Sequence, residues 1–453
     1  MPWSHAGPDE YHVWVKSPRS RPLVLSALCI AASACVTADV GGPTTSAVVI
    51  ASPTTVLETA TTSTTTPFTT TTTRSVFTLF GKVVDASRLP VPGATITIGS
   101  AELRTGTNGS FTFEATEPAP FRVSKRGWTE AQVPWETGSS FFVVTIGPKK
   151  VRGLRVGAGA AADDAHFERL LKLADDTAVN ALVFDTKQEG GTVLYDTTVG
   201  EAHDIGAVDV WYDPTERLAE THAHGLYAIT RIVVFEDAFR AKARPDEKLA
   251  GPWIDPTAET AWDYNISLAI EACELGFDEI QFDYVRFPAG RTAQRSGQLS
   301  LTETERVGAI ESFFAKARSA LQPMGCSMSA AIFAIVVSVP NDQGLGQKPE
   351  ELSGQLDVLS PMVYPSHYSD GWLGFDDPND HPYAVTADAI DDALPRLQSG
   401  TRLRPWLQAF WWTNSQIRAS IQAAEDRDVG WILWNVQSNF DRAALPASDE
   451  VDD

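Results

Sequence analysis

From about residue 150 onward, two kinds of hydrophobic pattern alternate along the chain. Short apolar runs at Val151–Val156, Ala181–Thr186, Tyr227–Phe235, Glu279–Tyr284, Ser327–Ile335, Val358–Val363, Arg404–Ala409 and Trp431–Trp434 predict strands. Between most of them, apolar residues recur at helical spacing. Those patterns predict helices near His166–Leu173, Glu216–His224, Thr257–Leu275, Thr302–Leu321, Thr386–Leu394 and Asn414–Arg427. In the third of these, Ala261, Tyr264, Leu268, Ala269 and Ala272 share a face. The small-residue run Gly157–Ala161 reads as a turn before a helix. Strand–helix alternation of this length predicts an α/β fold, a (β/α)8 TIM-like barrel rather than an open sheet. Little chain follows Asn435, so an eighth helix is expected to be short or missing.

The chain before residue 150 has a different texture. Residues 76–147 carry short alternating stretches, such as Val76–Phe80, Lys82–Asp85, Ala94–Ile98 and Ser110–Glu114, which predict the strands of a β-sandwich. Pro90-Val91-Pro92-Gly93 and Thr107-Asn108-Gly109 mark turns, and Asn-Gly before Ser110 is a hairpin signal. Residues 36–75 are dominated by Thr, Ser and Pro, a composition that predicts an unfolded stalk. At the start, Lys16, Arg19 and Arg21 precede an apolar run, Leu23–Ala34, too short for a comfortable membrane span. It ends in Ala32-Ser33-Ala34-Cys35, which is similar to a bacterial lipobox. The expectation is an exported protein anchored by lipidation of Cys35, with ordinary cleavage after Ala34, or an uncleaved anchor, as the alternatives.

The polar positions inside the barrel strands carry the candidate chemistry. In Gly276–Pro288, period 2 places Ile280, Phe282 and Tyr284 on one face and Glu279, Gln281 and Asp283 on the other. Only a barrel interior near its C-terminal mouth can usefully hold such a polar face. Asp185, near the end of the second strand, is expected at the same level as Asp283 at the end of the fourth. Two carboxylates facing each other across a sugar-sized gap are what most glycosidases need. Glu189, Glu236 and Asp237 are loop carboxylates able to join them, while Glu279 lies deeper. Arg286 is a neighbour that would keep Asp283 ionised, or simply pair with it in a structural role. Lys187, Arg231, Gln281, Tyr364, His367, Tyr368, Gln408, Trp434 and Asn435 complete a mouth of charged, amide and aromatic groups suited to hydroxyl-rich ligands.

Composition narrows the partners. With 36 basic and 58 acidic residues in 453, the formal charge is −22. This argues against nucleic acid or an anionic membrane surface, and makes a neutral glycan a more comfortable substrate unless a local basic patch exists. Membrane contact is expected only through the lipid anchor. Thirteen Trp suit stacking on sugar rings, although most belong in a core. Four Cys offer no metal-ligand spacing; a bridge between Cys273 and Cys326 is possible for an exported protein. No metal site, phosphate-cradling loop or cofactor is indicated, and the oligomeric state cannot be read.

Six segments in order, NALVFDTKQEGG (Asn180–Gly191), ITRIVVFED (Ile229–Asp237), WDYN (Trp262–Asn265), SPMVYPSHY (Ser360–Tyr368), RPWLQAF (Arg404–Phe410) and GWILWN (Gly430–Asn435), together with Gly276–Pro288, show a resemblance. Residues 150–445 resemble a bacterial and archaeal family of glycoside-hydrolase-like barrels of unknown function, distantly similar to α-amylases. The resemblance implies a sugar-directed hydrolase with Asp283 at the family's motif position, where amylase-like barrels carry their nucleophile. The fifth strand has no carboxylate where amylases place their acid. Chitinase chemistry is disfavoured too, since Val285 stands where its proton-donating Glu would be. The stretches GKVVDASRLPVPGATITI and TGTNGSFTF resemble the carboxypeptidase regulatory-like sandwich, of Ig-like or transthyretin-like form, a spacer or adaptor. The expected function is hydrolysis of an envelope or extracellular polysaccharide, with Asp283, Asp185 and Glu189 as catalytic candidates. The alternative is a non-catalytic barrel that binds carbohydrate in adhesion or scaffolding.

Overall fold

The computed structural model describes residues 76–451, apart from residues 137, 139 and 140. The expected export signal, Cys35 and the Thr-rich stalk lie outside the described residues.

Residues 77–145 form two facing sheets. One holds Phe77–Val84 between Ser110–Ala115 and Phe141–Thr145; the other contains Thr95–Ile98, Ala101–Arg104, Phe121–Ser124 and Ala131–Val133. Leu79, Val83, Ile96, Phe111, Phe121 and Phe142 fill the space between them. Gly81 lies opposite Phe111 in the ladder, and a Cβ there would fall 2.2 Å from the Phe111 ring, so only glycine seats that ring. Arg126 donates to Gly276 O and Asp278 Oδ1, both at 3.0 Å, and Arg104 donates to Met324 O at 2.9 Å. These acceptors precede two barrel strands, so the sandwich meets the barrel at its N-terminal end and leaves the mouth open.

The barrel strands are β1 (Arg152–Val156), β2 (Ala181–Lys187), β3 (Tyr227–Val233), β4 (Glu279–Asp283), β5 (Ser327–Phe333), β6 (Val358–Val363), β7 (Trp406–Gln408) and β8 (Trp431–Trp434). Each pairs in parallel with the next, and β8 closes on β1. Every residue of β1 to β5 is buried, as expected for parallel strands covered on one face by helices and on the other by the barrel's own interior. Val183, Ile229, Ala331, Trp406 and Ile432 fill the lower interior. Ile280 and Phe282 point outward to the helices, leaving Glu279, Gln281 and Asp283 inside.

The sequence pattern overran several strand ends. Ile335 starts a helical turn, Ile335–Ser338, and β3 stops at Val233. The seventh strand is split into Arg402–Leu403 and β7, with the break at Pro405, which has no N–H for the ladder. Gly157–Ala161 is not a plain turn, because Ala158–Ala162 makes a short helix of its own before Asp164–Asp175. After β8, the described chain forms only a 3-10 turn, Arg442–Ala444.

The helix Glu259–Leu275 ends on Gly276, whose φ of 112° admits the left-handed cap that turns the chain into β4. Cys273 near that helix end is bonded to Cys326 just before β5, across 53 residues of sequence. Among the described residues, no helix is long and apolar enough to cross a membrane.

Candidate active site

Arg231 on β3 is the hub of the mouth. It is 1% exposed and spends its guanidinium on three carboxylates. Nη1 donates to Asp185 Oδ1 at 3.0 Å, Nε to Asp283 Oδ2 at 2.8 Å, and Nη2 to Glu189. Register makes this possible: Asp185 on β2 lies directly beside Arg231, and Asp283 ends β4, the strand on its other side. Burial alone would lower the Arg231 pKa, but the three carboxylates hold it well above the ordinary guanidinium value. A second arginine, Arg155 on β1, caps the other oxygen of Asp185. Trp434 on β8 lies against both guanidinium groups, 4.3 Å from Arg155 and 4.7 Å from Arg231.

The three carboxylates differ in access. Asp185 is fully buried, with both oxygens taken by arginines. Glu189, on the loop after β2, keeps 38% of its side chain open to solvent. Burial pushes its pKa up, but the charges of Arg231 and Arg155 outweigh this and hold it at about 2. Asp283 is 3% exposed and looks into a pocket of about 670 Å³, counting its open mouth.

Asp283 Oδ1 also accepts the N–H of Tyr284 at 2.7 Å. Tyr284 has φ 49°, a left-handed conformation that a bulky residue enters at a cost of about 1–3 kcal/mol, and such strain clusters at active sites. The rest of the pocket wall includes Arg286, Phe333, Ile335, Met362, Tyr364, His367, Tyr368 and Trp372. As the sequence implies, the end of β5 brings Phe333, Ala334 and Ile335 here and no carboxylate.

Of the residues read from the sequence as sugar contacts, Arg286, Tyr364, His367 and Tyr368 line this pocket with Asp283. The pairing of Asp283 with Arg286 is not found; Arg231 takes that place. Several other side chains read as sugar contacts are held by protein groups in this structure. Glu279 is fully buried in a bidentate pair with Arg404 and accepts from Ser329. Gln281 bridges Ser329, Ser360 and the Trp406 indole N–H. Lys187 is ion-paired with Asp237 and donates to Val233 O and Asn265 Oδ1, and burial lowers its pKa despite Asp237. Gln408 accepts from Ser366 N and donates to Phe410 O, fixing the loop after β6. Asn435 staples the loop after β8 through Ala409 O and the N–H groups of Gln437 and Asn439.

Among the loop carboxylates, Asp237 is buried, paired with Lys187, and caps the short helix Ala238–Ala243. Gly191, at φ 90°, lets the β2 loop cross it, since a Cβ would sit 2.2 Å from Asp237 Oδ1. Glu236 accepts from Gly190 N at 2.8 Å. Sequence reasoning missed Arg155 and Trp372. The first is an arginine among apolar residues of β1, a visible signal; the second lies in a loop with no pattern to mark it.

Residues 153–440 match a protein-family model described as "Putative glycosyl hydrolase domain". No curated protein matches the chain. Among solved structures, a hypothetical protein from Ruminiclostridium thermocellum ATCC 27405 is similar at 30% identity and TM-score 0.34, over 39% of this chain and 96% of that one. The PgaB (BpsB) glycoside hydrolase domain from Bordetella bronchiseptica is similar at 12% identity and TM-score 0.48, over 64% and 95%. The α-galactosidase TtGalA from Thermus thermophilus is similar at 11% identity and TM-score 0.42, over 78% of each chain. The family match spans more than half of the chain and contains all eight barrel strands except the first residue of β1. Through its barrel, this chain belongs to that glycosyl hydrolase family.

Proposed function

We propose that the chain hydrolyses glycosidic bonds of an extracellular or envelope polysaccharide, with Asp283 as the reacting carboxylate. The observation that carries this reading is its placement. Asp283 is the carboxylate of the aromatic-walled mouth pocket, oriented by Arg231 on one oxygen and by a strained backbone N–H on the other. Nucleophile or base chemistry needs a group held in this way.

The second carboxylate in this proposal is Glu189, because Asp185 is locked and Glu189 shares Arg231 with Asp283. A proton donor must carry a proton, and in the free site Glu189 does not. Desolvation is the largest influence on it and favours protonation; Arg231, Arg155 and a backbone hydrogen bond together hold it ionised. A bound sugar that shields Glu189 from water and draws donors of Arg231 to its own hydroxyls would let desolvation win. Glu189 would then take up the proton that the leaving group needs. Asp185 acts as a positioning residue that fixes Arg231.

Export is part of the proposal. The Cys273–Cys326 bond supports an oxidising compartment, in keeping with the apolar segment before Cys35. The sandwich is proposed to be a carboxypeptidase regulatory-like spacer, which its seat at the far end of the barrel from the mouth supports. A second reading, a carbohydrate-binding barrel without turnover, is favoured by one observation: all three carboxylates around Arg231 are ion-paired. Screening the full-length protein against a panel of polysaccharides for new reducing ends separates the two. Release that stops in Asp283→Asn supports hydrolysis; binding without release from any member supports the second reading.

A further inference from the structure

The positive charges of the mouth are matched by carboxylates with one exception. Arg155 and Arg231 are balanced by Asp185, Asp283 and Glu189, and Lys187 by Asp237. Arg286 is 4% exposed, yet among the described residues no carboxylate lies within ion-pairing distance of it. Of its five N–H donors, the structure gives one an acceptor, Phe287 O at 3.1 Å. Its guanidinium is instead boxed by ring faces, 4.2 Å from Phe333, 4.5 Å from Trp253 and 5.2 Å from Tyr284. The same arginine lines the pocket that holds Asp283.

A buried cation without a counter-ion is costly in a chain that has 58 acidic residues to choose from. Aromatic faces offset part of that cost and fix the plane of the guanidinium, but they cannot accept its in-plane hydrogen bonds. An arginine held flat, with its donors unspent at the wall of a ligand pocket, is built for a planar anion. We propose that the pocket takes a sugar residue bearing a carboxylate, and that Arg286 donates paired hydrogen bonds to that carboxylate. The inference rests on the pocket being the substrate site. It reverses the expectation of a neutral glycan drawn from net charge. Charges more than about 8 Å away are screened at physiological salt, so the local cation decides. Asp283 opposes such a ligand less than a free carboxylate would, since it is paired with Arg231, which it shares with Asp185 and Glu189.

Two kinds of sugar that supply this chemistry are a hexuronate, with the carboxylate at C6, and a lactyl-substituted amino sugar such as muramic acid. Equilibrium binding to the full-length Asp283→Asn protein, by calorimetry, reads the preference without turnover. The probes are a glucuronate-containing tetrasaccharide against its glucose counterpart, and a muramic-acid-containing one against its N-acetylglucosamine counterpart. The expected result is at least about tenfold tighter binding of one acidic probe than of its neutral partner, about 1.4 kcal/mol, weakening with added salt. The preferred arm identifies the source of the carboxylate. In Arg286→Gln the preference should vanish, and in Arg286→Lys part of it should remain. Equal or weaker binding of both acidic probes in the Arg286 background, including no binding by any probe, overturns the proposal. That comparison needs no Arg286 variant to fold. The hydrolase reading is judged separately by turnover on the polysaccharide panel.

Discussion

Replacing Arg231 with Met removes the charge while keeping much of the side-chain volume, and its effect can be worked out from the ion pairs around it. The variant leaves Asp185 and Asp283 buried without the partner that spans them. Removing one partner of a buried pair costs about 3–5 kcal/mol, a large part of a total stability of about 5–15 kcal/mol. At roughly 2–4 °C per kcal/mol for a domain of this order of size, the midpoint should fall by about 6–20 °C. The pH dependence has a definite sign. Glu189 titrates at about 2 in the folded protein against 4.5 when unperturbed. Its stabilising contribution is therefore present above pH 4.5 and is lost as pH falls from 4.5 towards 2. Because its side chain is 38% exposed, solvent screening limits that share to about 1 kcal/mol. The gap between wild type and Arg231→Met should thus be widest near neutral pH and narrow below pH 4.5. Thermal unfolding followed by circular dichroism across this range measures it. A gap under about 2 °C at neutral pH, or one that stays constant down to acid pH, would refute the view of Arg231 as the electrostatic hub.

Three further outcomes follow from the same structure. Glu189→Gln should cut turnover of natural glycosides by roughly 100-fold or more while sparing activated aryl glycosides, whose leaving groups need no proton; an equal loss on both would remove Glu189 from the acid role. Reducing the Cys273–Cys326 bond, or replacing Cys326 by Ser, opens a 53-residue loop and should cost up to about 4 kcal/mol by chain entropy; an unfolding midpoint indifferent to reductant would contradict the pairing. Full-length protein expressed in a bacterial host should partition with membranes and lose that behaviour in Cys35→Ala, whereas soluble wild-type protein in the medium would sink the lipid anchor.

The barrel was legible because parallel strands buried on both faces must be apolar runs, and their spacing leaves room only for helices between. Boundaries failed where a local constraint overrode pattern: Pro405 interrupts the seventh strand, and the Ala-rich segment after β1 coils by its own propensity. Asp283 was legible because period 2 puts it on the polar face of an otherwise buried strand. The level of Asp185 was read well enough to place it near Asp283, but its role was not. A carboxylate that meets substrate and one that anchors an arginine look the same in sequence. What separates them is partner geometry, here Arg155 reaching across from β1. Gln281, Gln408 and Asn435 were read as sugar contacts for the same reason: an amide buried in a barrel satisfies its hydrogen bonds with protein as readily as with hydroxyls.

The central claim is that Asp283 does chemistry on a glycosidic bond. The direct measurement is the turnover of full-length wild type and Asp283→Asn on a polysaccharide from which the wild type releases new reducing ends. Asn keeps the size of the side chain and one of the two oxygens that accept from Arg231 and the Tyr284 N–H, but cannot attack a sugar carbon or activate water. The account predicts that kcat falls by about 1,000-fold or more, a loss of at least roughly 4 kcal/mol of transition-state stabilisation, while circular dichroism shows the same folded barrel. Retention of turnover within about tenfold of the wild type, with the fold intact, would contradict it.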